Sequence, residues 1–238
     1  MLTEAGQIYY ERCKRIVDEA RLAHEQLSEM LAQPSGVLRA SLPVDFTVTY
    51  MAPLVAEFAR LYPGIIFDFD LTSRWVDLVS EPFDVAIRIG KPENSQLIAR
   101  PLAVLPAYLY ASPRYLDRSG EPAEPAEPAD LAHHECLSIM KADTWTLHDG
   151  VNTTKVSIGS RFTLNSVGMI CRLATLDMGI IMMMEKIVAD DLTSGRLRRV
   201  LPQWHGAPVS VYAITVTRLL PAKTQHFIKF LQEHLGKV

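Results

Sequence analysis

VLRASLPVDFTVTYMAPLVAEFARLYPGIIFDFDLTSRWVDLVSEPFDVAIRIG, residues 37–90, is the stretch that decides the fold. Its apolar residues change between a period of two, typical of strands, and a period near 3.6, typical of helices. Five elements are predicted in turn: a strand over 37–42, a helix that Asp45 caps and that ends at Leu61, a strand over 65–71, a short helix over 75–79 and a buried strand over 83–89. This βαβαβ order favours a mostly parallel sheet covered by helices on both faces.

The rest of the chain continues the alternation of strands and helices. The predicted elements are a strand over 107–111, a short helix opened by 112–115, a hairpin of 144–147 and 154–158 around Asp149 and Gly150, a strand over 161–164, a helix over 167–176 capped by Asn165 and Ser166, strands over 179–184, 196–201 and 209–216, and a helix over 222–235. The Pro-rich repeat EPAEPAEPAD at 121–130 predicts a solvated loop.

The first 33 residues carry a narrow apolar seam along a predicted helix. The seam residues are separated by four and three positions in alternation: Tyr9, Cys13, Ile16, Ala20, Ala23, Leu27 and Met30. A stripe of this width suits the pairing of two helices better than burial of a broad face. We therefore predict a linker and dimerisation helix over 1–34. The alternative is an amphipathic helix packed on its own domain.

Residues 37–90 and the opening LTEAG at 2–6 together resemble the LysR-type transcriptional regulators, in the branch whose domains carry a DVAIRIG strand, here at 84–90. The resemblance follows the chain in order over essentially its whole length. It implies a periplasmic-binding-protein type 2-like α/β fold with two lobes joined by two crossing segments, behind a long linker helix. Lobe I is expected at 35–104 and 207–238, and lobe II at 105–206.

The same resemblance implies an effector-sensing and oligomerisation role. In that family LTEAG joins a winged helix-turn-helix to the linker helix. This chain is therefore expected to lack that DNA-binding segment, and DNA contact is expected only through that segment of the full-length protein. Relatives assemble as dimers or tetramers. The expected partners are therefore other copies of the chain and a small organic effector, anionic or aromatic.

The effector is expected in the cleft between the lobes, beyond the carboxyl ends of strands and near helix N-termini. The resemblance places its contacts after the first and second strands and after a strand of the second lobe. The candidate residues are Pro43, Asp45, Phe46, Thr72, Ser73, Arg88, Gly90, Asn165 and Ser166. Among these, Thr72 is the firmest. Each polar candidate also suits a purely structural role as a helix cap or in an ion pair.

Two further residues, Arg100 and Trp145, are weighed for this site. Arg100, like Arg88, offers positive charge to an anionic ligand, although either arginine equally suits a structural role. Phe46 and Trp145 suit an apolar pocket wall, although an aromatic side chain more often packs in the core. Where relatives often read GLGIALLPE, this chain has DMGIIMMME at 177–185, and its flexible methionines predict a compliant wall.

Composition and motifs argue against several other functions. The net charge of -3 supplies no electrostatic attraction for nucleic acid. The sequence contains no G-x-S-x-G, G-x-G-x-x-G, P-loop or H-E-x-x-H motif, so we predict neither an enzyme nor a cofactor. The run His133, His134, Glu135, Cys136 is the nearest approach to a metal cluster. Adjacent side chains on an extended chain point apart, and we predict no metal site.

Cysteine usage and hydropathy indicate the compartment. Cys13, Cys136 and Cys171 suit a reducing environment and ordinary packing, with a redox switch as the alternative. No apolar run reaches the roughly 18 residues of a membrane span, and the N-terminus is not a signal peptide. We predict a cytoplasmic protein without membrane contact. The alternative function is a free-standing solute-binding protein of the same fold.

Overall fold

The computed structural model describes residues 3, 6, 9–19, 33–90, 97–119, 127–139 and 142–237, and the chain divides into two compact units. Unit 1 is Met1–Leu42, Ala52–Leu102 and Tyr212–Val238, and unit 2 is Pro43–Met51 and Ala103–Val211. The sequence-based division placed 43–51 in lobe I, whereas this segment belongs to unit 2. The boundaries of the functional lobes stay a prediction.

The described residues form twelve strands and seven α-helices. The strands are β1 (Gly36–Leu42), β2 (Ile65–Leu71), β3 (Val85–Ile89), β4 (Ile98–Leu105), β5 (Tyr108–Ala111), β6 (Cys136–Leu137), β7 (Thr144–His148), β8 (Thr153–Ser157), β9 (Ile180–Met183), β10 (Arg198–Val200), β11 (His205–Gly206) and β12 (Val209–Thr215). The helices are α1 (9–19), α2 (Val44–Phe46), α3 (Ala52–Leu61), α4 (Pro113–Ser119), α5 (Val167–Thr175), α6 (Ala189–Thr193) and α7 (Ala222–His234). Within the described ranges, none of the helices is long and apolar enough to cross a bilayer.

Helix α1 carries the first part of the predicted seam. Tyr9 and Ile16 are 72% and 66% exposed, and Cys13 is half-buried. Apolar side chains left exposed at a helical spacing mark a surface suited to a partner. The remaining seam residues, Ala20, Ala23, Leu27 and Met30, lie outside the described residues.

Unit 1 is built on a five-stranded sheet of order β2-β1-β3-β12-β4. Strand β1 pairs in parallel with both β2 and β3. Phe58 of α3 is fully buried, and its ring lies 6.2 Å from Phe67 of β2 and 5.2 Å from Phe227 of α7 in edge-on contacts. Such aromatic contacts bury large apolar areas, so they join both helices and the sheet in one core.

Unit 2 contains a four-stranded sheet of order β10-β5-β9-β6 and a three-stranded sheet of order β11-β7-β8. Strand β5 runs antiparallel to both β10 and β9, whereas β6 runs parallel to β9. The mostly parallel sheet was predicted from residues 37–90 and does not extend to this unit, whose four-stranded sheet is mixed. The reason is that β5 enters the sheet in the opposite direction to both of its neighbours.

Several element predictions are confirmed. Strands β1 and β2 lie where the alternation predicted them, and the hairpin of β7 and β8 turns at Asp149 and Gly150. The Asp149 carboxylate accepts the backbone N–H groups of Val151 and Asn152, and Gly150 has a φ of 92°. This is the turn chemistry that short polar residues and glycine provide.

The long helix predicted from Asp45 to Leu61 is interrupted. Helix α2 starts after Pro43, which is extended, so Asp45 lies inside the first turn and is not the cap. Residues Thr47–Met51 then form a π-helical turn before α3 begins. Asp45 still suits this position, because a negative charge is favourable at the positive end of the helix dipole.

Two predicted elements are absent from the described residues. The helix over 75–79 is replaced by a turn, because the Asp77 carboxylate accepts the N–H of Val79 and the hydroxyl of Ser80. The strand over 161–164 is reduced to one bridge between Ile139 and Leu164. In that segment the side chains of Glu135 and Ser160 take the N–H groups of 161 and 162 that a strand neighbour would otherwise accept.

A glycine of unit 2 allows a close approach of two chain segments. Gly179 has a φ of 155°, and a Cβ there would collide with the carbonyl oxygen of Glu135, which accepts the N–H of Ile180. We predict that Gly179→Ala lowers the free energy of unfolding by at least about 2 kcal/mol, from backbone strain and overpacking. Chemical denaturation measures this. The control is Gly159→Ala, whose Cβ would meet open space, and an equal loss in both variants would contradict the assignment.

Candidate functional site

The carboxyl ends of β1, β2 and β3 lie at one edge of unit 1, because these three strands are parallel neighbours. Thr72, directly after β2, donates its backbone N–H to the carbonyl oxygen of Leu42 at 2.8 Å. Its hydroxyl accepts the N–H of Arg74 at 3.3 Å and can still donate its own proton. Thr72 is half-buried and Ser73 is exposed. This edge therefore presents two hydroxyl groups, and their role as ligand contacts stays a prediction.

Arg88 of β3 is buried at the same edge, with 4% of its surface exposed. Its guanidinium donates to the carbonyl oxygens of Ser41, Ile87 and Arg74 at 3.0, 2.7 and 3.0 Å, and to the Ser41 hydroxyl at 2.7 Å. Burial lowers the pKa of Arg88 to about 10, so the group stays protonated at neutral pH. Four of its donors are thus used on the chain itself, which is a structural role.

The neighbouring charges of unit 1 are also paired. Arg74 forms two hydrogen bonds to the Glu81 carboxylate, at 2.8 and 2.5 Å. These bonds hold the pKa of Glu81 at about 2, well below its ordinary value. Arg100 donates to the Thr215 hydroxyl at 2.6 Å and to the carbonyl oxygen of Arg218 at 3.2 Å. Both arginines therefore have intramolecular partners.

Gly90 ends β3 with a φ of 84°, and a Cβ there would meet nothing within 4 Å. Its conformation, and not a lack of space, is what favours glycine at this position.

In unit 2, the segment that contains Asp45 packs against the start of α5. Oδ1 of Asp45 lies 2.8 Å from the point that a Cβ on Gly168 would occupy. Ser166 is the N-cap of α5, and its hydroxyl accepts the N–H of Met169 at 3.2 Å. Predicted candidates from distant parts of the chain, at 45 and at 165–166, are therefore brought together within this unit, with a carboxylate beside a helix N-terminus.

Phe46 is buried and packs against Tyr50 of the same segment. Its buried ring stacks on Tyr50 with a centroid distance of 5.0 Å and an angle of 18°. The ammonium group of Lys186 lies 5.3 Å from the Tyr50 ring centroid, within the range of a cation–π contact. Burial raises the pKa of Tyr50 above its ordinary value. These contacts anchor the π-helical turn to the segment that follows β9.

A pocket of about 320 Å³ lies in unit 2, where β6 and β9 end side by side. The described residues that line it are Leu137, Ser138, Ile139, Ala142, Thr144, Trp145, Thr146, Ile170, Met182, Met183 and Ala207. Its wall combines apolar and aromatic side chains with three hydroxyl groups. Such a mixture is typical of small-molecule sites, and the volume is at the lower end of their usual range.

Sequence reasoning identified only part of this lining. Trp145 was predicted as a possible pocket wall, and the methionine-rich stretch at 177–185 supplies Met182 and Met183. Ser138, Thr144 and Thr146 were missed. A signal for Ser138 existed, because it directly follows a short buried strand, but a two-residue strand is too short to recognise from periodicity.

Cys136 and Cys171 are buried. Burial raises the pKa of Cys136 and that of Cys171 to about 12. Thiols with such pKa values carry little thiolate at neutral pH and react slowly with oxidants. Within the described residues, no group of three or more His, Cys, Asp or Glu side chains converges on a possible metal position.

Comparison with known proteins identifies the family. The model of the LysR substrate binding domain matches residues 31–236. The chain belongs to the LysR family of transcriptional regulators. It is 32% identical over 243 residues to an HTH-type transcriptional regulator of Xanthomonas campestris pv. campestris (strain 8004), covering 99% of this chain and 70% of that protein. It is also 32% identical over 242 residues to the HTH-type transcriptional activator AaeR of Escherichia coli (strain K12), covering 100% of this chain and 77% of the activator.

A solved LysR structure shows the same fold. CrgA of Neisseria meningitidis, a LysR-type transcriptional regulator, superposes with a TM-score of 0.72 at 28% identity, covering 99% of this chain and 81% of CrgA. The predicted periplasmic-binding-protein type 2-like fold is thereby confirmed. The similar proteins are transcriptional regulators and not enzymes.

The predicted effector residues of this LysR chain fall into two groups. Thr72, Ser73, Arg88 and Gly90 lie at the strand ends of unit 1, and Pro43, Asp45, Phe46, Asn165 and Ser166 belong to unit 2. Arg88 and Phe46 are buried among their own partners. The exposed or half-buried polar groups are the more suitable ligand contacts, because a ligand can reach them from solvent.

The structural assignment of Arg88 in this LysR domain is testable without a ligand. A lysine in its place has one nitrogen and cannot reach acceptors on both Ser41 and Arg74. We predict that Arg88→Lys lowers the free energy of unfolding by about 1–3 kcal/mol, because buried carbonyl groups lose donors. Urea denaturation measures it. Arg114→Lys, at an exposed ion pair of 3.6 Å, is the control and changes little. Equal stability of Arg88→Lys and wild type would exclude this role.

Proposed function

We propose that this chain is the effector-sensing and oligomerisation part of a LysR-type, DNA-binding transcriptional regulator. The observation that carries the proposal is the pocket of about 320 Å³ at the ends of the parallel strands β6 and β9, in a domain of the LysR substrate-binding family. Ligands of α/β sheets bind beyond the carboxyl ends of strands, which is where this pocket lies. DNA contact through a winged helix-turn-helix, and a cytoplasmic location, stay predictions.

The effector that fits this proposal is a small organic molecule with an apolar or aromatic part. Trp145, Ile170 and Met182 form an apolar wall, and Met182 and Met183 are flexible enough to adapt to a ring. The hydroxyls of Ser138 and Thr144 already donate their protons to the carbonyl oxygen of Ala142 and the carboxylate of Asp143, so they offer a polar substituent their oxygen lone pairs, and Thr146 adds a third hydroxyl. The expectation that both lobes share the effector stays a prediction, with Thr72 and Ser73 as the groups proposed from unit 1.

The anionic character predicted for the effector has less support than its aromatic character. The donors of Arg74 and Arg100 described above, and four of the five donors of Arg88, are used within the chain. The fifth, Nε of Arg88, is buried and has no hydrogen-bond partner among the described residues. Asp45 places a negative charge beside α5, next to the candidate Ser166. A carboxylate ligand would therefore rely on hydroxyl and backbone N–H donors, which stabilise an anion less than a free guanidinium does.

The regulator function is favoured over the alternative of a free-standing solute-binding protein. The family model and the similar full-length proteins are those of transcriptional regulators, over almost the whole chain. The exposed apolar residues of α1 add a second argument, because a solute-binding protein has no need of a dimerisation seam. We likewise propose that the chain acts without catalysis.

A thermal-shift screen of small aromatic acids, aromatic alcohols and aliphatic carboxylates tests the proposal. A ligand that binds only the folded chain raises its melting temperature by mass action. For a compound found in this way, we predict that Thr72→Val weakens binding about tenfold, as expected for one lost hydrogen bond. Calorimetry measures the change. Thr154→Val, on strand β8, is the control and leaves the affinity unchanged.

The pocket itself has an optical readout in the same experiment. Trp145 lines it and is 4% exposed, so an aromatic ligand in van der Waals contact changes its fluorescence. The signal should disappear in Trp145→Phe and persist in Trp75→Phe, whose residue is half exposed in unit 1. The proposed site would be contradicted by a ligand that binds without changing the Trp145 fluorescence and that binds Thr72→Val and Ser138→Ala as tightly as the wild type.

The oligomerisation part of the proposal depends on α1. We predict that Ile16→Glu lowers the mass of the assembly in sedimentation velocity, because it places a charge in the seam beside Cys13. Val17→Glu is a matched control: Val17 is the next residue and is similarly exposed at 64%, but it lies off the four-three spacing. Loss of assembly in both variants alike, or in neither, would exclude the seam as the interface.

A further inference from the structure

Two histidines face each other across neighbouring strands of unit 2, outside the pocket lining. His148 ends β7 and His205 begins β11, and the two are direct partners in the antiparallel register. Their rings stack with a centroid distance of 5.6 Å and an interplanar angle of 30°. Both residues are partly exposed. Solvent and small ions therefore have access to this cross-strand pair.

One ring nitrogen of each histidine has a partner within unit 2. Nδ1 of His205 lies 3.0 Å from the carbonyl oxygen of Gly206. A carbonyl oxygen only accepts hydrogen bonds, so Nδ1 carries the proton and the neutral ring has its lone pair on Nε2. Nδ1 of His148 lies 2.8 Å from the hydroxyl of Thr153, its register partner on β8. On both rings Nε2 is thus the remaining ligand atom.

The Nδ1 contacts of these two rings are of the kind that metal-binding histidines make. A ligating imidazole usually donates its other nitrogen to a carbonyl or hydroxyl group, which sets the tautomer and holds the ring in place. A metal bound by both Nε2 atoms at about 2.0–2.1 Å requires them to lie within about 4 Å of each other. A metal lies in the plane of each imidazole that binds it, so rings stacked 5.6 Å apart and tilted by 30° have to turn about their side-chain bonds before both Nε2 atoms face one ion.

The neighbouring carboxylate does not belong to the pair. Asp149 follows His148, but its Oδ1 accepts the N–H groups of Val151 and Asn152, and its Oδ2 accepts the Asn152 side-chain amide. These bonds hold the pKa of Asp149 at about 2, and they commit the carboxylate to the turn. Any ion at the pair therefore has two protein ligands and completes its coordination with water.

We propose that His148 and His205 form a two-histidine site for a divalent transition-metal ion of the Ni²⁺, Cu²⁺ and Zn²⁺ class. Imidazole nitrogen suits these ions, whereas Mg²⁺ and Ca²⁺ prefer oxygen ligands. The site differs from the run at 133–136 that the sequence singled out, because register and not adjacency brings its ligands together. It also departs from the sequence-based prediction that the chain holds no metal.

Titration of the tag-free chain with Ni²⁺ in a calorimeter tests this site. Ni²⁺ is the probe because it binds imidazole without oxidising the thiol of Cys13. His148→Phe and His205→Phe each retain a stacked ring and remove a ligand, and each should weaken Ni²⁺ binding at least about tenfold. His133→Phe, at an exposed histidine elsewhere in unit 2, is the control and leaves the affinity unchanged.

Two further measurements separate ligation from a change in folding. Melting temperatures without metal show whether each variant folds, and Ni²⁺ should raise the melting temperature of the wild type and of His133→Phe only. Thr153→Val keeps both ligands but removes the group that orients His148, so a smaller loss of affinity is expected. Equal Ni²⁺ binding by the wild type and the His148→Phe, His205→Phe double variant would overturn the proposal, as would an equal loss in His133→Phe.

Discussion

The hydrogen bonds of the buried Arg88 guanidinium are the constraint on which the functional edge of unit 1 depends. One side chain joins the end of β1 through Ser41, its own strand β3 through Ile87, and the loop after β2 through Arg74. A buried cation is costly unless hydrogen bonds compensate it, so the carbonyl groups and the charge stabilise each other. Thr72 owes its position to this arrangement, because its loop is held at both ends, by Leu42 and by Arg74.

Much of the fold could be predicted from the sequence because its strongest signals are local. The alternation in β2 and the stop at Tyr62, Pro63 and Gly64 depend only on neighbouring residues. The failures occurred where a side chain satisfied the backbone. The Asp77 carboxylate accepts the N–H of Val79 and the hydroxyl of Ser80, which favours a turn over a helix at 75–79. The Glu135 carboxylate, distant in sequence, accepts the N–H of Arg161. Neither bond has a periodic signature, so hydropathy does not reveal it.

The candidate site was less predictable than the fold for a related reason. Its predicted residues come from strand ends, which a sequence reveals, but its pocket is enclosed by the hairpin of β7 and β8 and by β9. Which residues of these strands come together is set by register, because a shift of one residue moves every side chain to the opposite face. The mixed direction of the unit 2 sheet also follows from pairing and not from composition. The pair of His148 and His205 also results from strand register, and no local sequence pattern predicts it.

The contact between Asp45 and Gly168 shows how a site residue acquires its chemistry from its neighbours. With any side chain larger than hydrogen at 168, the carboxylate would have to move away from the first turn of α5. Gly168 is the second residue of α5, and the absence of a side chain there permits the close approach of the Asp45 carboxylate. The approach brings a negative charge to a helix N-terminus that an anionic ligand would otherwise find attractive. Asp45 and Gly168 therefore together make this helix N-terminus less attractive to an anionic ligand. Gly168 has no polar side chain, so a search for polar candidates in the sequence does not find it.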